Sequence, residues 1–271
     1  THLNNFIDVT RGGPQNFLLN NLLRFPQAKS ANAIYGTLIH AVLQHAHSHL
    51  AASGTRKPIE DITGEFIRLL QQQELSDNDL ALYSKRGIEA LEAFLSAKYD
   101  TFAPSQKPEL SFVGQGVVLG QARLTGSLDL VDIDNQTITV TDYKTGKPST
   151  SWTGKSDYEK IKLHKYRQQL MFYELLCANS RDYAKYDFGG AVLQFVEPDS
   201  RGDIYQLDDR FSRDELADFQ RLIAAVWRCI TSLEIPDVSH YEANYRGILQ
   251  FEEDLLAGKY PACEQPETGD E

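Results

Sequence analysis

A chain of 271 residues, 41% hydrophobic and 24% charged, has the composition of an ordinary globular protein and is long enough for one large domain, with or without a helical insertion. Its formal net charge of −11 argues against a general electrostatic grip on nucleic acid, and no apolar run approaches the length of a membrane span. Three cysteines, Cys177, Cys229 and Cys263, are too few and too scattered for a disulfide framework or a cysteine-rich zinc site, so a reducing, cytoplasmic setting is expected.

The chain begins at Thr1 and its single methionine is Met171, the pattern of a processed chain or of a domain cut from a larger one. Residues 3–7 and 17–23 read as short helices separated by a break at Gly12-Gly13-Pro14, with Pro26 ending the second. The break lacks the lysine and preceding strand of a phosphate-binding loop and reads as a turn. Residues 33–50 are helical by period, with Ile39, Val42, Leu43, Ala46 and Leu50 on one stripe and His40 inside it. His45 and His49 point to the opposite side. His47 shares the face of His40 but lies two turns, roughly 10 Å, away. The four histidines are therefore not one metal site, and His47→Ala is expected to match wild type in metal binding. A lone histidine on an apolar stripe is ordinarily a satisfied core residue.

After a break at 54–58, two amphipathic helices over 59–74 and 79–102, the second started by Ser76-Asp77, make a helical insertion at about 55–105. Arg68, Lys85 and Arg86 on them read as a solvated face, with phosphate contact as the alternative. Strands are expected at 110–113 and 116–119, and Glu109 at their entry is left outside the candidate site.

The stretch Gly126-Ser127-Leu128-Asp129-Leu130-Val131-Asp132, continued through Asn135 to Asp142-Tyr143-Lys144-Thr145-Gly146-Lys147, reads as a hairpin with charges where a core should be. Ile138, Val140, Asp142 and Lys144 alternate onto one face. With Asp134-Asn135 as the loop, Asp129 faces Val140 and is the diagonal neighbour of Asp142, roughly 7–8 Å away. Unpaired buried charge is costly. The arrangement is therefore either an Asp142–Lys144 ion pair or a divalent cation between the carboxylates with Lys144 beside it. Oxygen ligands suit Mg²⁺ or Mn²⁺.

A helix over 158–178 places Gln169 and Tyr173 on one face. Strands over 188–196 and 203–207 follow, joined by a turn at 198–202, then helices over 213–232 and 247–256. Phe219 and Trp227 are expected in the core. The acidic tail at 261–271 lacks periodicity and is expected to be mobile, leaving residues 1–260 as one domain.

Four short motifs in order, Gly36/His40, Gly126/Asp129, Asp142/Lys144 and Gln169/Tyr173, resemble those of the PD-(D/E)XK nuclease superfamily in its RecB/AddB-type branch, over roughly positions 30–180. The resemblance implies an α/β, restriction-endonuclease-like core, a central mixed β-sheet flanked by helices, with an added helical region. It implies Mg²⁺- or Mn²⁺-dependent hydrolysis of DNA. His40, Asp129, Asp142 and the Tyr143 carbonyl would hold the metal, Lys144 would orient the attacking water, and Gln169 and Tyr173 would steady Lys144 or the strand. Many relatives are similar in carrying four cysteines for an iron–sulfur cluster. That set is missing here, so no cluster is expected. The Leu3-Asn4-Asn5-Phe6 pattern ahead of the Gly36/His40 motif is similar to nuclease domains fused behind UvrD/Rep-type helicases, which implies DNA ends as substrate, a helicase/ATPase domain as partner, and no membrane. Two other readings stay open: a catalytically silent DNA-end-binding or scaffolding module, and an unrelated acidic protein–protein interaction domain.

Overall fold

The computed structural model describes residues 2–260. The acidic tail and Cys263 lie outside them. Helices α1 (His2–Ile7) and α2 (Gly13–Phe17) open the chain. The expected break at Gly12-Gly13-Pro14 is instead the start of α2: Gly12 adopts φ 83° and Pro14 sits in the first turn, where a missing N–H costs nothing. A long helix α3 (Ala31–Ser53) is capped by the Ser30 side chain, which accepts from the Ala33 N–H, and stopped by Gly54 in the left-handed region. α4 (Ile59–Gln71) and α5 (Asp77–Lys98) follow.

The strands are β1 (Lys107–Ser111), β2 (Val118–Leu119), β3 (Ala122–Arg123), β4 (Ser127–Asp134), β5 (Thr137–Lys144), β6 (Asp187–Phe195) and β7 (Gln206–Asp209). α6 (Asp157–Ala178) connects β5 to β6, and α7 (Arg213–Ser232) and α8 (Tyr245–Ala257) close the described chain. The central sheet has the order β1-β4-β5-β6-β7, antiparallel except for the parallel β5–β6 pair that the α6 crossover makes possible. This is the expected α/β architecture, a mixed sheet flanked by helices. The strand expected at 116–119 does not lead into it. Its last two residues form β2, which pairs only with β3 as a separate two-stranded sheet.

The hairpin register also differs from expectation. Asn135 takes φ 53°, which asparagine tolerates, and Asp134 stays in its strand opposite Thr137. The loop is thus Asn135-Gln136 rather than Asp134-Asn135. Continuing the register past the last pair, Leu130 with Thr141, places Asp129 opposite Asp142 instead of Val140.

Two packed cores hold the sheet. On one face Leu130 and Tyr143 join a cluster with Tyr35, Ile39 and Leu43 of α3, Phe66 of α4 and Phe94 of α5. On the other, Val131, Ile138 and Val140 pack with Leu163, Leu170 and Tyr173 of α6. A third cluster ties α1 and α2 to α7 and α8, with Phe219 buried and Trp227 only partly so.

Candidate active site

Beyond the Leu130–Thr141 pair, the N–H of Tyr143 that a longer ladder would direct to β4 donates to Asp129 Oδ2 at 2.9 Å. The carboxylate fills the gap where the strands part. His40 on α3 reaches the same oxygen, Nδ1 at 3.1 Å. Burial lowers the affinity of His40 for a proton, but the hydrogen bond to Asp129 and the charges of Asp129 and Asp142 outweigh it and hold the imidazole above its ordinary pKa. Gly36, one turn earlier, explains how α3 comes so near: a Cβ there would lie 3.2 Å from Thr145 Oγ1, just past the end of β5.

Asp142 is 1% exposed and is served from the opposite face. Its Oδ1 accepts from the Tyr173 hydroxyl at 2.6 Å and from Gln169 Nε2 at 2.9 Å. Burial first, then the charges of Asp142 and Asp129, raise Tyr173 well above an ordinary phenol, so it stays a donor. Lys144 Nζ lies 2.7 Å from Asp142 Oδ2 and donates to Gln169 Oε1 at 2.7 Å, with the Tyr166 ring 4.6 Å away. Gln169 is thus the clamp that joins acid to lysine. Its place on α6 follows from the Ser156/Glu159 capping box that starts the helix at 157 and sets its rotational phase.

The structure therefore brings His40, Asp129, Asp142, Tyr143, Lys144, Gln169 and Tyr173 to one end of β4 and β5. A family comparison matches residues 10–244 to the PD-(D/E)XK nuclease superfamily. The chain belongs to this superfamily. Asp142-Tyr143-Lys144 supplies the second half of its signature, and Leu128 precedes Asp129 where the signature has proline. No curated protein matches the chain.

As a PD-(D/E)XK domain, the chain has three neighbours of the site that the sequence reading missed. Glu109, set aside there, falls opposite Asp129 in the β1–β4 register and takes φ 47°. Burial and then the Asp129 charge raise its carboxyl, against the pull of His40. Its signal was an acid at the first strand of the sheet, legible only once the pairing is known. His47 is packed rather than free: it is 1% exposed, its ring centre lies 3.7 Å from that of Phe102, and it bonds the Tyr143 hydroxyl. Arg86 does not lie on a solvated face. It forks onto Glu197 at 2.8 and 3.0 Å and covers the Tyr35 ring at 4.7 Å, while Glu197 also accepts from the Gly146 N–H.

Among the described residues no three His, Cys, Asp or Glu side chains stand together as a ready-made metal site. The donors fit an open site. Asp142 Oδ2 is buried without a directed hydrogen bond, although the Lys144 charge lies beside it. Asp129 and Glu109 are like charges placed side by side, which repel unless a cation lies between them. Such hard oxygen donors suit Mg²⁺ or Mn²⁺, which keep part of their water.

Proposed function

We propose that the domain is a divalent-metal-dependent deoxyribonuclease of the RecB/AddB type. The observation that carries this reading is Lys144, held between Asp142 Oδ2 and Gln169 Oε1 at 2.7 Å each. Gln169 binds both partners at once and so fixes where the ammonium points, as a lysine acting on a substrate oxygen requires.

His40, Asp129, Asp142 and the Tyr143 carbonyl, with Glu109 as an added carboxylate, would hold Mg²⁺ or Mn²⁺. When bound, such an ion polarises the phosphate and lowers the pKa of water. Lys144 has three N–H donors. Gln169 Oε1 accepts one of them and the Asp142 Oδ2 charge lies beside the head, which leaves donor capacity for a substrate oxygen, where it orients the attacking water and offsets the negative charge that develops on the phosphate. Gln169 and Tyr173 fix Asp142 and Lys144 in place. His40 does the same for Asp129.

The setting we propose is processing of DNA ends in the cytoplasm, in concert with a helicase/ATPase domain of the same or a partner chain and without an iron–sulfur cluster. The N-terminal Leu3-Asn4-Asn5-Phe6 pattern supports the helicase association. Cys177 and Cys229 are buried in separate clusters, which supports the absence of a cluster. The test is cleavage of linear single- and double-stranded DNA with Mg²⁺ or Mn²⁺. Metal-dependent cleavage lost on Lys144→Ala is the expected result. Binding without cleavage by wild type would point to a silent end-binding module instead.

A further inference from the structure

A groove of about 840 Å³ opens beyond the C-terminal ends of β5 and β6, the end at which parallel strands commonly bind ligands. One wall is the loop after Lys144, with Lys147, the hydroxyls of Ser149 to Thr153 and Lys155; the other is the turn after β6, with Glu197 and Asp199. Its acids are already committed. Glu197 is forked by Arg86, Glu159 accepts from the Lys155 and Ser156 N–H groups, and Asp199 accepts from the Arg201 and Asp203 N–H groups. Its lysines are not: Lys147, Lys155 and the adjoining Lys162 enter no ion pair among the described residues. In a chain of net charge −11, unpaired cations gathered at one place require an explanation.

The groove is continuous with the candidate active site. Lys144 Nζ lies 4.6 Å from the centre of the Tyr166 ring, Lys162 Nζ lies 6.0 Å from the same ring, and Lys162 donates to the Lys147 carbonyl at 3.2 Å. Burial lowers Lys162, attraction to Glu159 offsets part of that, and repulsion from the nearby Lys147 adds a smaller lowering. A string of cations thus runs from the catalytic lysine into the groove. No aromatic face lines it, so nothing there stacks on bases.

We infer that this groove binds the sugar–phosphate backbone of the strand being cut, with Lys147 and Lys155 each meeting a phosphate. The inference rests on the nuclease reading for its direction and deepens it: recognition here is of the backbone, independent of base sequence. It also resolves the charge paradox of the composition. The grip is local, confined to one loop and the start of α6.

The test is binding of a fluorescent oligothymidylate to the full chain, with calcium in place of magnesium, across a salt series. For Lys147→Gln/Lys155→Gln we expect affinity about 10-fold weaker at low salt. The slope of log affinity against log salt should shrink by about 1.4, at about 0.7 per phosphate on a single strand. The control is Lys107→Gln/Lys185→Gln, the same charge change beside Tyr183 and Tyr186 near the start of β6, which should keep the wild-type slope. The inference is overturned if the groove variant keeps wild-type affinity and slope, if the control loses as much, or if wild type does not bind. Cleavage measured in parallel separates the two readings: binding lost in the groove variant from a wild type that never cleaves upholds the groove and refutes the nuclease.

Discussion

His47 Nε2 lies 2.8 Å from the hydroxyl of Tyr143, the residue whose backbone N–H holds Asp129. One tyrosine thus connects a buried histidine on α3 to a carboxylate at the site. His47→Ala, expected to leave metal binding unchanged, should remove this bond and the Phe102 stacking and leave a cavity. We expect a loss of about 2–4 kcal/mol in denaturant unfolding. Wild-type stability would show that neither contact matters to the fold.

The same residue predicts an acid dependence. Burial lowers the folded-state pKa of His47 from 6.5 to about 4. Between these values the unfolded chain binds a proton that the folded chain refuses. Stability therefore falls as pH drops from about 6.5 to about 4, by roughly 3 kcal/mol from this group, and levels off below. His47→Phe should flatten that part of the stability–pH curve, and an unchanged curve would show that other groups govern it.

Lys144→Ala should reduce cleavage of linear DNA by at least about 10²-fold while the fold persists, the scale for losing a group that acts on the transition state. Melting curves run alongside separate this from simple loss of a partner for Asp142, which acts on stability. Equal cleavage by both proteins would refute the catalytic role.

Gln169→Leu tests the clamp. Lys144 and Asp142 both remain, but each loses a hydrogen bond that fixes its direction. We expect kcat to fall about 10- to 100-fold, in the range for residues that orient active groups, with KM little changed. A rise in KM alone would make Gln169 a strand-binding residue.

Calorimetry with Mg²⁺ or Mn²⁺ tests the metal site without reference to activity. Asp129→Ala should abolish measurable binding and Glu109→Gln should weaken it. Wild-type affinity in Asp129→Ala would remove the site as drawn.

Much of this arrangement was legible because it depends on local period. Alternation along β5 put Asp142 and Lys144 on one face, and four-residue spacing paired Gln169 with Tyr173, as found. What escaped depends on pairings far apart in the chain or on a single backbone angle. Whether Asp129 met Val140 or Asp142 turned on whether Asp134 or Gln136 joined Asn135 in the turn, and the pairing of Asp134 with Thr137 decides it. Glu109 became a neighbour of Asp129 through strand pairing. His47 and Arg86 found their partners 96 and 111 residues away, distances across which charge and helical phase say nothing.

The two sheet faces are packed by different helices, and the site draws His40 from one and Gln169 and Tyr173 from the other. On the proposed reading, catalytic competence is a conjunction: both halves must be docked on the same pair of strands at once. Lys144 leaves the ribosome 25 residues before the glutamine that aims it. Until α6 folds back, a nascent chain carries every charge of the hairpin but lacks the bonds that align Asp142 and Lys144. On the proposed nuclease reading, a chain of this design would stay inert until α6 has docked, and partial unfolding that lifts either layer would disarm it.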